Sequence, residues 1–159
     1  MAIINGKALV KDGKPLDRAY SEGMLVYGRN ILLGTANDYV LNPVTDGSWK
    51  ENYNFWTTYN SLTPGIKYTL SSEVTLSSGK SISVKVFDSS VYQELLADND
   101  FLADGTRQHL TFTAPDNGTT LLMYAGQAGA TLGITATFHH TKLEKGIPTD
   151  WTPAPEDII

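Results

Sequence analysis

Apolar and polar residues alternate over long stretches of this chain. Between residues 66 and 76 nearly every second side chain is apolar, and the side chains between them are Lys, Thr, Ser or Glu. A period of two is that of a β-strand with one face in a core. Residues 78–80 supply a Ser-Gly-Lys turn, and residues 82–86 repeat the pattern, so the two strands are predicted to form a hairpin.

Shorter stretches of the same kind predict the rest of the sheet structure. Residues 31–33 predict a short buried strand, and residues 110–114, 121–125 and 134–138 predict three more, separated by Gly, Asn, Asp or Pro. Only residues 91–97 have a helical composition, so we expect at most one short helix. The predicted fold class is all-β, a two-sheet antiparallel β-sandwich of the jelly-roll type.

The N-terminal residues have a weaker pattern. An Asp-Gly turn pair at 12–13 predicts a small hairpin over residues 10–16, and residues 17–27 show little period. We therefore divide the chain into an attachment segment or connector, residues 1–28, and a sandwich, residues 29–159. The alternative is that the first segment adds edge strands to the main sheet.

Composition narrows the range of partners. The chain has 159 residues, no cysteine and a net charge of −5. Disulfides, thiolate zinc sites and thiol nucleophiles are excluded, and the acidic balance argues against nucleic acid, whose phosphates need a basic surface. No apolar stretch approaches the ~20 residues of a membrane span, and the first residues lack the pattern of a signal peptide. We therefore expect no membrane partner, and the absence of cysteine fits synthesis in a reducing cytosol.

The densest group of aromatic residues lies between residues 49 and 60, interleaved with asparagines. Sugar binding needs flat apolar rings and planar polar groups, and Trp and Tyr supply such rings. Because a loop needs solvent for its own backbone, burying all of these rings is difficult, and we predict a platform for saccharide stacking. The alternative is that Trp49 or Trp56 plugs the end of the sandwich. The candidate stacking residues are Trp49, Tyr53, Trp56 and Tyr59.

A second candidate surface is the outward side of the strands, opposite the core rows. A sandwich can hold a saccharide chain on one sheet face, and Tyr92 would lie at its rim. The alternative is an ordinary exposed face, or a face covered by residues 89–106. The candidate residues here are Lys85, Phe87, Arg107, His109 and Tyr124.

Groups for catalysis or metal binding are sparse. No Gly-x-Ser-x-Gly elbow or phosphate-binding glycine loop occurs. His139 and His140 are adjacent, so a flat strand would send them to opposite faces, away from a shared metal. Asp98, Asp100 and Asp104 are interpreted as a solvated acidic loop. We therefore predict no catalytic residue, no cofactor and no metal site.

The last residues combine a turn with a proline-rich tail. The final strand is predicted to end in a turn at residues 142–146, and Trp151 follows among prolines 148, 153 and 155. Prolines fix the path of the backbone and cannot continue a helix. We therefore expect the tail to fold back and tuck Trp151 against the domain.

Several of these stretches resemble, in order, the carbohydrate-binding-module-like jelly rolls of phage tail, baseplate and receptor-binding proteins. The ending is the most specific of them, and the resemblance covers residues 29–157. The stretches that carry it are Asn30-Ile-Leu-Leu-Gly-Thr35, Lys67-Tyr-Thr-Leu-Ser-Ser72, Ser81-Ile-Ser-Val-Lys-Val-Phe87, Arg107-Gln-His-Leu-Thr-Phe-Thr-Ala-Pro115, Leu122-Met-Tyr124, Lys142-Leu-Glu-Lys-Gly146 and Thr149-Asp-Trp-Thr-Pro-Ala-Pro-Glu-Asp157.

The resemblance implies a non-catalytic module of a virion tail or baseplate, synthesised in a bacterial host cytoplasm. It would bind host cell-wall saccharide and contact other tail proteins, in an oligomer or symmetric array. The alternative is a structural spacer or protein-docking sandwich with no sugar site. At two places this sequence differs from the family pattern. Residues 105–107 lack the aromatic residue that relatives often have there. Lys142-Leu-Glu144 replaces an acidic pair used for calcium in many relatives, so no calcium site is expected from Asp38, Asp46 or Glu144.

Overall fold

The residues that the structure describes form two four-stranded antiparallel sheets and two separate two-stranded hairpins. The structure, a computed structural model, describes residues 9–46, 62–89 and 94–157, together with the backbone of residues 53–54. Within these ranges there is no α-helix, and a short 3-10 turn covers Pro155–Asp157. The prediction of an all-β sandwich is confirmed.

The strands are numbered in chain order. Sheet I has the order β10-β7-β12-β5, and sheet II has the order β6-β11-β8-β9. The strands are β1 (Val10–Lys11), β2 (Lys14–Pro15), β3 (Arg18–Ser21), β4 (Met24–Gly28), β5 (Tyr39–Leu41), β6 (Tyr53–Asn54), β7 (Lys67–Leu76), β8 (Ser81–Asp88), β9 (Leu95–Leu102), β10 (Asp104–Thr113), β11 (Thr119–Met123) and β12 (Ala136–Lys145).

The core lies between the two sheets and comes from the alternating positions of the long strands. Successive side chains of a strand point to opposite faces, so every second apolar residue reaches the same core. Sheet I contributes Leu70 and Val74, and sheet II contributes Ile82 and Val84, all fully buried. Each such side chain stabilises the fold by about 1.5–3 kcal/mol relative to exposure.

The predicted hairpin of β7 with β8 is wrong. β7 pairs with β10 and β12, whereas β8 pairs with β11 and β9. The turn after Leu76 therefore carries the chain from sheet I to sheet II. The alternation of each strand shows which side faces the core, but it is the same whether two strands are neighbours in one sheet or face each other across the core.

Two local predictions are also corrected. Residues 31–33 are not a strand, because the Asn30 side chain holds the backbone in a turn and Leu33 is 56% exposed. The short helix predicted at residues 91–97 is not present from Leu95 onward, where β9 begins. Residues 90–93 lie outside the described ranges. The acidic residues predicted to form a loop lie on strands instead, Asp98 and Asp100 in β9 and Asp104 at the start of β10.

β12 is longer than predicted because a β-bulge lies in its middle. The register against β7 shifts between His139 and Lys142, and His140 has a left-handed φ of 49°. A bulge adds one residue and reverses which side chains face the core. Phe138 before it and Leu143 after it are both core residues, so Lys142–Lys145 continue the strand and are not the predicted turn.

The bulge also places the two adjacent histidines on the same outer face of sheet I. The His139 ring contacts Thr75, and the His140 ring contacts Glu73, which lies two residues away on the same face of β7. The prediction that they point to opposite faces is wrong because it assumed a flat strand.

Residues 10–28 form two hairpins, and neither of them pairs with a described strand of sheet I or sheet II. The β1–β2 hairpin was predicted, whereas β3 and β4 make a second one. Tyr27 at its end is buried, and Gly28 N donates to Thr149 Oγ1 at 3.1 Å. The division at residue 28 stays a prediction, but residues 18–28 contact the tail of the chain.

Gly28 is the point of closest approach in this contact. A methyl group added at Gly28 would overlap the buried carboxylate of Glu144. We expect Gly28→Ala to lower the free energy of unfolding by about 1–3 kcal/mol, the usual cost of overpacking. Chemical denaturation measures the change, with Ser21→Ala in the exposed part of the same hairpin as the control. A Gly28→Ala protein as stable as that control would contradict the contact.

Candidate functional site

The outer face of sheet II brings together apolar, aromatic and charged side chains. Residues directly opposite each other in antiparallel strands share a face. Lys85 of β8 lies opposite Leu122 of β11 and Asp98 of β9. The Tyr124 backbone amide donates to Ser83 O at 3.1 Å. Ser83 lies two residues before Lys85 and shares its face, so Tyr124 lies on the same outer face of sheet II.

These side chains differ in their exposure. Lys85 and Phe87 are half-buried, and Asp98 is exposed. Leu122 and Tyr124 are only 6% and 8% exposed, although they lie on the outer face. Burial raises the pKa of Tyr124, so its hydroxyl stays protonated. Tyr124 therefore belongs to the floor of this face and Lys85 to its accessible part.

Gln127 fixes the polar groups at one end of the face. Its Oε1 accepts from Ser83 Oγ at 3.0 Å, and its Nε2 donates to Ser81 Oγ at 3.0 Å and to Asp100 Oδ2 at 3.2 Å. Ser83 Oγ also accepts from Ala128 N. Sequence reasoning missed Gln127, since its only signal was a polar residue in the glycine-rich turn after β11.

The predicted aromatic segment is attached to this sheet. β6 is the edge strand of sheet II, and its backbone pairs Tyr53 with Met123 and Asn54 with Leu122. Trp49, Trp56, Tyr59 and Tyr92 lie outside the described residues, as does the side chain of Tyr53. Their role in sugar stacking stays a prediction.

Arg107 lies on the other side of the sandwich, on the outer face of sheet I. Its Nη2 donates to Ser71 Oγ at 2.6 Å and its Nη1 to His140 O at 2.9 Å. Burial lowers the pKa of Arg107, and the nearby carboxylate of Glu73 opposes that effect. The structure thus brings Lys85 and Tyr124 together on sheet II but places Arg107, and His109 of the same strand, on the opposite side.

The tail of the chain covers the outer face of sheet I. Lys142 and Glu144 have fully buried side chains, with Nζ and Oε2 3.4 Å apart. Lys142 Nζ donates to Thr149 Oγ1 and to Asp150 O, both at 2.7 Å, and Glu144 accepts from Thr149 N and Thr149 Oγ1. Burial lowers the pKa of Lys142 to about 8, although Glu144 opposes that effect. This network clamps the tail to the sheet.

Asn30 makes a second, neutral connection. Its Oδ1 accepts from the backbone amides of Leu32 and Leu143, and its Nδ2 lies within hydrogen-bond distance of Thr35 Oγ1 and of the carbonyls of Thr141 and Thr152. The residue is fully buried. One side chain therefore joins the turn after β4, the bulge of β12 and the tail.

The tail folds back as predicted. Trp151 is half-buried, and its ring centroid lies 4.7 Å from that of His140. Pro153 and Pro155 are buried beyond it. Trp151 therefore packs on the outer face of sheet I and is remote from the outer face of sheet II.

The carboxylates considered for calcium have different neighbours. Asp38 contacts His139 at 2.9 Å, and Asp46 Oδ1 accepts from the amides of Thr131 and Leu132. Glu144 is paired with Lys142. Over the described ranges, no three His, Asp or Glu side chains gather as metal ligands would. The same ranges hold no helix long and apolar enough to cross a membrane.

No family model matches the sequence, and no curated protein matches it significantly. Among solved structures, 30 chains match. One is a carbohydrate-binding module, CBM4, which is 18% identical over 71% of this chain and 81% of that chain, with a TM-score of 0.51. Another comes from the tripod (BppUct-A-L) of the baseplate of bacteriophage Tuc2009, 16% identical over 82% of this chain, with a TM-score of 0.53.

The chain has the β-sandwich fold of a carbohydrate-binding module. The same fold occurs in the phage baseplate chain, of which this chain covers 60%. The predicted resemblance is thus confirmed for the fold. At identities of 16% and 18%, these matches do not assign a ligand to either face of the sandwich.

Proposed function

We propose that this domain is a non-catalytic carbohydrate-binding module of a phage tail or baseplate protein, and that it adheres to host cell-wall polysaccharide. The binding surface is the outer face of sheet II together with the aromatic segment attached to β6. The observation that carries the proposal is that Lys85, Phe87 and the Gln127 network lie on the same sheet as β6, the edge strand within this segment, with only β11 between β6 and β8.

The described part of this face offers what a saccharide needs. Phe87 supplies an apolar ring, and Lys85 and Asp98 supply a donor and an acceptor on neighbouring strands. Asp100 is held by Gln127, so its position is fixed before a ligand arrives. A few polar groups held on strands beside apolar rings are the usual composition of a small-molecule site.

The carboxylates of this face favour binding over hydrolysis. A glycosidase needs two carboxyl groups on either side of the scissile bond. Asp98 and Asp100 instead lie two residues apart on one strand and point to the same side, and Asp100 is already bound by Gln127. This arrangement supports a module without catalysis.

A single shallow site would bind weakly. We expect a Kd between about 1 mM and 1 µM, which corresponds to roughly 4–8 kcal/mol. Many copies on one particle would raise the effective affinity without new contacts. This reasoning favours an oligomer or symmetric array, contacts to other tail proteins and a location in the virion, in line with the baseplate chain that shares the fold.

One observation favours the alternative of a structural spacer. Leu122 and Tyr124 are nearly inaccessible on the outer face of sheet II, so part of that face is covered. A spacer needs no open aromatic surface, whereas a sugar site does. The two functions therefore differ in whether the rings between residues 49 and 59 accept a ligand.

Binding of host cell-wall polysaccharide tests the proposal. We expect purified polysaccharide to change the Trp fluorescence of the domain and a Trp49→Ala/Trp56→Ala variant to lose most adhesion to host cells, because stacking supplies most of the contact. The matched control is Trp151→Phe, which alters an indole on sheet I. Unchanged adhesion of the double variant, with no fluorescence response in the unsubstituted domain, would leave the spacer function.

A further inference from the structure

A pocket of about 290 Å³ opens at one end of the sandwich, away from the outer face of sheet II. It lies where the second N-terminal hairpin meets the first residues of β7 and the last residue of β12. Backbone bonds fix its walls, since Arg29 N donates to Asp17 O and Ile31 N donates to Leu143 O. The residues that line it are Asp17, Arg29, Ile31, Thr63, Tyr68 and Lys145.

Lys145 occupies a core-facing position of β12. It lies opposite Tyr68 in the register with β7, and it follows the core residue Leu143 by two positions. Strand residues two apart share a face, so an apolar residue would be the ordinary choice there. Among the described residues, no acceptor lies within hydrogen-bond or ion-pair distance of Lys145 Nζ. A cation therefore faces the pocket without a partner from those residues.

Arg29 adds a second cationic group. Its terminal nitrogens contact Glu156 and, at 3.5 Å, Asp17. Its Nε is buried and has no hydrogen-bond partner, which costs free energy unless an acceptor arrives. Arg18, whose Nη2 donates to Lys145 O at 3.1 Å, also has a buried Nε with no partner.

The charges around the pocket are unbalanced. Among the described residues at the pocket, Arg18, Arg29 and Lys145 are three cations and Asp17 and Glu156 are two carboxylates, which leaves one excess positive charge. The whole chain carries −5. A local positive charge on an acidic protein, with unused donors, favours an anionic ligand over a neutral one.

The other lining groups suit a hydroxylated ring. Tyr68 and Ile31 offer apolar surface, and Thr63 and Asp17 offer a hydroxyl and a carboxylate for bonds to ligand hydroxyls. The Tyr68 hydroxyl oxygen accepts from Thr63 N at 3.0 Å, which fixes its position. The volume is near the lower end of the ~300–1,000 Å³ range of small-molecule pockets, so it suits a ligand of one ring.

We propose that this pocket binds a small hydroxylated anion, a sugar ring that carries a carboxylate or a phosphate, with Lys145 and Arg29 holding the anionic group. The inference is independent of the saccharide face on sheet II, because none of the described residues that line the pocket lies on that face. It also gives the second N-terminal hairpin a role, since Asp17 and Arg29 flank that hairpin and close one wall of the pocket.

Titration of the full chain with three single-ring probes tests the pocket. The probes are glucuronate, glucose 6-phosphate and neutral glucose, followed by NMR chemical shifts of the pocket residues. We expect one or both anions to bind with a Kd near 1 mM and glucose to bind about tenfold more weakly or not at all. Binding by one anion alone supports the pocket and identifies the anionic group.

Lys145→Gln is the decisive variant. Since its side chain bonds to no described residue, the fold should survive, which thermal unfolding verifies. We expect the variant to lose about tenfold in affinity for the anions, while Lys80→Gln, the same change in the exposed turn between β7 and β8, leaves it unaltered. The proposal is overturned if no anion binds up to about 10 mM, if glucose binds as well as the anions, or if Lys145→Gln binds as well as the unsubstituted chain.

Discussion

Lys142→Met should lower the free energy of unfolding by about 3–5 kcal/mol, the cost of leaving a buried charge without its partner. The substitution keeps the length of the side chain and removes its cation. Glu144 then stays buried with only the amide and hydroxyl of Thr149 as partners, and the carbonyl of Asp150 loses its donor. Chemical denaturation with guanidinium chloride measures the change.

Two further variants separate the ion pair from simple loss of packing. Lys145→Met makes the same change three residues along β12, where the described residues offer the lysine no partner, and should cost less than about 1 kcal/mol. A Lys142→Met/Glu144→Leu double variant should recover most of the loss, since an apolar pair of similar volume often replaces a buried ion pair at little cost. A single variant as stable as the unsubstituted chain would show that the clamp of the tail does not depend on charge.

Asn30→Ala should cost about 3–4 kcal/mol, because it removes the acceptor of two buried backbone amides and the donor of two buried carbonyls at once. The amides are those of Leu32 and Leu143, and the carbonyls are those of Thr141 and Thr152. Thermal and chemical unfolding measure the effect. Asn99→Ala, at an exposed position of β9, is the matched control and should change stability by less than about 0.5 kcal/mol.

Asn30→Asp tests the same bonds through pH. The carboxylate retains the acceptor but loses the donor, and it buries a charge, so burial should raise its pKa in the folded protein. The folded state then binds more protons than the unfolded state between the two pKa values, so the loss of stability relative to the unsubstituted chain should shrink as the pH falls. A loss that is the same at every pH would contradict the buried position of this side chain.

The fold class and the core rows could be predicted from the sequence. Burial of one face gives the apolar residues of a strand a period of two, and this period is visible within a single strand. Ile82 and Val84 could be assigned to the core without any partner strand. Strand pairing could not be found in this way, because β7 and β8 carry the same alternation whether they share a sheet or face each other. Pairing depends on contacts between residues that are distant in the chain.

The β-bulge in β12 explains why residues 142–146 were predicted to form a turn, although Lys142–Lys145 continue the strand. The polar letters of Lys142-Leu-Glu-Lys-Gly146 are typical of a turn, and no local signal shows that Lys142 and Glu144 are covered by residues 149–150. The sequence contains one indication of the bulge. The buried apolar residues of β12 have even numbers up to Phe138, whereas the next one, Leu143, has an odd number. A change of phase within one apolar run indicates an extra residue in the strand.

The candidate site was predicted only in part. Lys85 was assigned correctly to an outward face, since its neighbours Val84 and Val86 are core residues. Arg107 also faces outward, but on the other sheet, and one sequence cannot show that two outward rows lie on opposite sides of a sandwich. Gln127 was missed because its three hydrogen-bond partners lie 27 to 46 positions away from it along the chain.

The contact between Arg29 and Glu156 closes the sandwich where the chain arrives and leaves. The Asp157 carboxylate strengthens this junction by accepting from Gly34 N. If a longer polypeptide that contains the domain were stretched, tension would therefore pass through this junction first. The sheets between the two ends, with Lys85 on the far side, would stay unloaded while the junction holds.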